Sequence, residues 1–176
     1  MLERLPYAKR LELERRGDAE RYASLAGLEL VLMGAALLRH VPTGADALRF
    51  PADGKPYCIG GPFFSLSHGT DRVAAAFSTD CEIGFDLEEI GSGSGDTNEA
   101  QVRLLRWTAT EAVLKAAGRG LRDARAVELD AALATAALAG AVFQLRSVSI
   151  ATDVVAHLAA PVTVESVTIE AVVLPA

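Results

Sequence analysis

Cys81 to Asp96, read as CEIGFDLEEIGSGSGD, sets acids into an apolar run. At the period of a strand, Ile83, Phe85 and Leu87 share one face, and Glu82, Gly84, Asp86 and Glu88 share the other. Asp86 and Glu88 would then stand roughly 7 Å apart along the strand. Two carboxylates that close repel each other, and water, a basic neighbour or a cation must offset the repulsion. A solvated outer face, screened by salt, is one reading. A hard-cation site is the other, because Mg2+ is commonly held by one or two carboxylates together with substrate phosphates.

Leu104 to Leu121, LLRWTATEAVLKAAGRGL, holds the next candidates. Trp107, Glu111 and Lys115 are spaced by four and share one helical face. Glu111 to Lys115 has the favourable orientation for an ion pair within a helix, and a surface salt bridge would account for it. Alternatively, Glu111 faces Asp86 and Glu88 and completes a cradle of three carboxylates, with Lys115 one turn on beside a phosphate. The stretch SLSHGTD, 65–71, lacks the spacing of a nucleophile elbow. Its Ser67 and His68 are donors at the end of a strand, suited to phosphate contact. In DGKP, 53–56, a tight turn places Lys55 next to a proline.

Elements must position these groups. Residues 8–16 suit a short charged helix, interrupted at Gly17. Residues 18–39 suit a long amphipathic helix, with Asp18 able to cap it and Leu25, Leu28, Leu32, Ala35 and Ala36 forming an apolar stripe. A break follows at HVPTGAD, then a short strand and the turn through Asp53 and Gly54. Runs 62–68, 72–78 and 82–90 read as strands with joints short enough for an antiparallel meander. The glycine-serine stretch 89–97 is the expected seam. A helix over 98–117 follows, ended by Gly118 and Gly120. The alanine-rich 124–140 segment should be partly helical. The tail offers three strand-like runs, AVFQLRSVSI, DVVAHLAAP and SVTIEAVVL, expected as a second meander.

The pattern predicts an α+β fold of two similar α/β halves, 1–90 and 91–176, each a small antiparallel sheet with a long helix. The chain of 176 residues is 51% apolar and long enough for a real core. A net charge of −6 argues against a general nucleic-acid binder. The charge is uneven: residues 80–99 hold seven acids and no base, whereas residues 103–125 hold six bases against two acids. Neither Cys58 nor Cys81 belongs to a CxxC pair or to zinc-ligand spacing, so free thiols in a reducing compartment are expected. The N-terminus is too charged for a signal peptide, and the apolar stretch LAGLELVLMGAALL is short for a membrane span and interrupted by Glu29. A cytoplasmic protein without membrane partners is the expectation.

The order of these segments resembles that of the Sfp-like 4′-phosphopantetheinyl transferases. GKP (54–56), FFSLSH (63–68), IGFDLE (83–88) and WTATEAVLKAAGRGL (107–121) follow one another as in that family, over about residues 18–121. The helix DAERYASLAG is similar to the family's arginine-bearing helix, with Arg21 in the matching place. The resemblance implies two similar halves in one compact unit with the active site between them. It implies Mg2+-dependent transfer of the 4′-phosphopantetheine arm of coenzyme A to a serine of an acyl or peptidyl carrier protein, releasing adenosine 3′,5′-bisphosphate. Asp86, Glu88 and Glu111 match the metal-binding acids, and Lys115 the lysine near the pyrophosphate. Ser67 and His68 match the motif that contacts coenzyme A phosphates, and Arg21 and Lys55 the basic residues that grip its nucleotide end. Glu111, or a water bound to the metal, would serve as the base for the partner's serine.

Two departures from the family stand out. Thr110 occupies the place directly before the helix glutamate, where the family usually carries lysine. Residues 89–106 form a shorter segment than the one that commonly helps to receive the carrier protein. These departures motivate an alternative, a degenerate homologue that binds coenzyme A or a carrier protein without transfer.

Overall fold

Pro6 sets the first helix going, its carbonyl accepting the amide of Arg10 at 3.0 Å. The computed structural model describes residues 1–39, 44–52, 55–90 and 98–172, in two compact units, Met1–Asp80 and Cys81–Ala176. Each mixes helix with small antiparallel sheets, an α+β architecture.

In the first unit, α1 (Tyr7–Glu14) is short and charged, with Glu12 paired to Lys9 at 2.9 Å and to Arg16 at 2.7 Å. Its Leu13 is buried. Beyond Gly17, α2 (Asp18–Arg39) runs for 22 residues. Asp18 is already helical: the Gly17 carbonyl accepts the Arg21 amide, and the Asp18 carboxylate instead takes the Arg21 guanidinium at 2.6 Å. The buried stripe is Leu28, Val31 and Ala35, with Leu25 and Leu32 at its margins. Val31 therefore belongs to the core face and Ala36 lies at its edge, a small rotation from the expected stripe.

Two short strands, β1 (Leu48–Arg49) and β2 (Tyr57–Cys58), pair antiparallel. The turn expected at Asp53 and Gly54 lies outside the described residues, as does His40–Thr43 of the expected break. The main hairpin joins β3 (Phe63–His68) to β4 (Val73–Ser78), with Phe63 opposite Ser78 and His68 opposite Val73. Glycines in α2 let the helix approach this hairpin: a Cβ at Gly34 would overlap the Phe77 ring, and one at Gly27 would come within 3.0 Å of His68 Nε2. By length and composition alone, Asp18–Leu38 also passes for a membrane-crossing helix, with a mean hydropathy of 1.4. Its Leu28, Val31 and Ala35 are taken up by the unit's own core.

In the second unit, β5 (Gly84–Glu89), β6 (Glu128–Leu129), β7 (Thr135–Leu138), β8 (Ala141–Ser147) and β9 (Val154–Ala160) form one antiparallel sheet in the order β5-β9-β8-β7-β6. Helix α3 (Asn98–Ala116) packs on it. The expected three-strand meander therefore ends after β4. All seven residues of β9 are buried, and such a strand needs a neighbour on each edge. It finds β8 on one side and β5 on the other, with Asp86 opposite His157 and Glu88 opposite Val155. A partner about 70 residues away in sequence decides this pairing, not the length of the joint before β5.

Two further expectations are corrected. Residues 124–140 are not a helix: a 3₁₀ segment, Leu121–Ala126, leads into β6 and β7. Alanine's helix preference is a weak prior, and here Ala136 is buried beneath α3 instead. Ala139 and Gly140 both have positive φ, 51° and 83°, the signature of a type I′ turn between β7 and β8. In the third tail run, residues 166–172 carry no strand, and Val167, Ile169 and Val172 are exposed. The seam residues 91–97 lie outside the described residues.

Candidate functional site

Gly84 brings the site's two elements together. A Cβ there would strike the Ala112 carbonyl and the Ala116 amide, so α3 lies directly on the backbone of β5. Alternation along β5 then turns Asp86 and Glu88 to the same side as Gly84, toward α3. Small residues on the helix, Ala109, Ala112 and Ala116, let it settle there and are buried. Glu111 and Lys115 flank this contact row, at the rim where helix meets strand.

The result is a cluster. Asp86, Glu88 and Glu111 each offer a carboxylate oxygen, and these oxygens lie within 4.8 Å of one another. Asp86 is the buried member, 3% exposed. Lys115 Nζ donates to Asp86 Oδ1 at 2.5 Å and stands 3.8 Å from Glu111 Oε2. The helical spacing of Glu111 and Lys115 is real, but the closer partner of the lysine is on the strand.

The acids show the electrical cost of this crowding. Burial pushes the carboxyl of Glu88 above its ordinary value, and the charge of Asp86 adds to the rise; a hydrogen bond from Trp107 works against it. Glu111 is raised in the same way, by burial first and by Asp86 second, with Lys115 opposing. One ammonium does not balance three carboxylates. An all-oxygen, all-carboxylate donor set drawn from two rigid elements suits a hard divalent cation, and the spacing is within side-chain reach of the roughly 3–4 Å between oxygens that share Mg2+. The residues present therefore fit that ion.

The other candidates belong to the first unit. Arg21 is paired with Asp18 on α2. Ser67 is buried and His68 is exposed at the end of β3, opposite Ala74 and Val73. The His68 imidazole lies against α2 at Gly27. Lys55 is partly buried just before β2. Thr110, at the departure from the family pattern, donates its hydroxyl to the Arg106 carbonyl at 2.8 Å and so serves its own helix.

Sequence reasoning missed a buried polar pair next to the acids. Thr108 Oγ1 lies 2.7 Å from His157 Nδ1, and His157 faces Asp86 across the β5–β9 ladder. Desolvation holds the His157 imidazole below its usual value, with Asp86 opposing. The signal was available: a lone histidine within VVAHLAA must find a hydrogen-bond partner if the strand is buried on both faces. No protein-family model matches this chain, and no curated protein matches it.

Proposed function

We propose that this chain is a 4′-phosphopantetheinyl transferase, moving the phosphopantetheine arm of coenzyme A to a serine of an acyl or peptidyl carrier protein in the cytoplasm. The observation that carries this reading is the convergence of Asp86, Glu88 and Glu111 beside Lys115, in a chain whose motifs follow the order of that family. The family fold, with two similar halves, is part of the same proposal.

In this reading Asp86, Glu88 and Glu111 would hold Mg2+. When bound, the ion supplies positive charge to offset that on the coenzyme A pyrophosphate as its P–O bond breaks. Lys115 adds a second point charge for the phosphates. Glu111 accepts the proton of the carrier serine as its oxygen bonds to the phosphorus of the pantetheine arm. Adenosine 3′,5′-bisphosphate leaves with the electrons of the broken bond. Ser67, His68, Arg21 and Lys55 would contact the phosphates and nucleotide end of coenzyme A.

Thr110 supports a second reading, binding without transfer, because its hydroxyl is committed to the helix backbone and brings no positive charge. Mass spectrometry of apo carrier proteins incubated with the chain, coenzyme A and Mg2+ separates the two. Transfer adds the mass of one phosphopantetheine arm, is lost with a chelator, and falls about a hundredfold or more in Glu111→Gln. Coenzyme A binding with no mass gain on any carrier would favour the second reading. Wild-type transfer rates in Glu111→Gln would remove that residue from the site.

A further inference from the structure

The buried polar side chains described in the second unit are Asp86, Thr108 and His157, and they are neighbours. The proposed reaction uses only the first. Thr108 is 0% exposed and His157 2%. The Thr108 hydroxyl lies 3.1 Å from the carbonyls of both Leu104 and Leu105. Thr108 Oγ1 also lies 2.7 Å from His157 Nδ1, a buried hydrogen bond in either direction of donation.

This bond has a mechanical consequence. The cation site is split between β5, which carries Asp86 and Glu88, and α3, which carries Glu111. Mutual repulsion of the acids works against their approach, and Lys115, on α3, works for it through its bond to Asp86. Ala109, Ala112, Ala116 and Ala159 pack in one core with the larger Val113, Leu114, Leu138, Phe143 and Leu145. Apolar burial is non-directional, so polar bonds from α3 to the sheet are needed to set its rotation, and Lys115–Asp86 and Thr108–His157 are two such bonds. The Thr108–His157 bond is directional. Thr108 stands on α3 three residues before Glu111, about one turn. His157 stands opposite Asp86. Turning or sliding α3 would break this bond as it carried Glu111 away from the strand acids.

We propose that Thr108 and His157 are positioning residues: their hydrogen bond fixes the rotation and axial register of α3 on the sheet and so holds Glu111 at cation-binding distance from Asp86 and Glu88. The inference rests on the metal-dependent reading above. Groups that orient metal ligands from behind commonly change metal affinity about 10–100-fold when removed.

The test is a Mn2+ titration of the full chain with coenzyme A present, following free Mn2+ by electron paramagnetic resonance. Circular dichroism at the assay temperature checks that each variant is folded. Thr108→Val keeps the shape and removes the hydroxyl; its Mn2+ affinity should fall about tenfold or more. Thr108→Ser restores the hydroxyl and should return the affinity to near that of the wild type. If Thr108→Val does not fold, His157→Asn and His157→Gln take its place. The asparagine amide reaches the Nδ1 position and should preserve binding, whereas the glutamine amide reaches the Nε2 position and should weaken it. Folded Thr108→Val with wild-type affinity, or equal affinities of the Asn and Gln variants, overturns the positioning role and leaves the transferase reading standing. A wild-type chain that binds no Mn2+ overturns both.

Discussion

Glu88 and Glu111 connect the acid cluster to pH. Burial, then the charge of Asp86, raises both carboxyls. The folded chain therefore keeps protons that the unfolded chain releases, in a window that opens at the ordinary glutamate value of about 4.3 and closes at the raised folded values. Fewer protons on the unfolded state means that stability falls as pH rises through this window. Under the proposed reading, a divalent cation would take the place of those protons. Thermal melts across a pH series should show a Mg2+-induced increase in melting temperature that is absent below the window, grows through it and is sharply reduced in Glu111→Gln. An increase of the same size at every pH would mean that Mg2+ acts elsewhere. Lys115 shows how far this chemistry was legible in the sequence. Spacing along the helix brings it near Glu111, and the structure keeps that neighbour at 3.8 Å. Its closer partner, Asp86, is on another element, and helical periodicity carries no information about residues outside the helix.

At the scale of elements, Gly84 decides whether the site exists. Gly84→Ala would place a methyl group inside the backbone of α3, at the Ala112 carbonyl and the Ala116 amide. Neither atom belongs to a flexible side chain, so helix and strand must separate. A loss of about 2–4 kcal/mol in chemical denaturation is expected, with weakened Mn2+ binding. Unchanged stability would show that the contact is looser than described. The β7–β8 turn offers a change of the opposite sign. Ala139 occupies a positive-φ position ahead of Gly140, and Asn-Gly is the favoured pair for such a turn. Ala139→Asn should stabilise by about 0.5–1 kcal/mol, measured by the same denaturation; a loss would contradict the turn assignment. That hairpin was illegible in the sequence because Ala-Gly is not a turn signal and the residues before it favour helix. The tail run 166–172 failed in the opposite way. Its alternating valines and isoleucine have strand character, but β-propensity describes fit to a pleated neighbour, and among the described residues no strand of this sheet pairs with it.

At the scale of the molecule, the chain folds as two α+β units, and the acid-rich β5 belongs to the second. The sequence by itself determined the long helices, because their apolar period and their glycine boundaries are local properties. Gly17 stands before α2, and Gly118 follows α3. It also determined the candidate acids: alternation put Asp86 and Glu88 on one strand face, and the four-residue spacing put Glu111 beside Lys115. Tertiary structure alone decided that β5 leaves the β3–β4 hairpin to pair with β9. It alone set Lys115 on Asp86 and joined Thr108 to His157. The physical reason is range. Periodicity and capping act within a turn or two of chain, whereas burying an apolar strand such as β9 on both faces requires partners from distant parts of the sequence. The polar groups carried along with those partners are then placed by the packing, and a reading confined to neighbouring residues has no access to it.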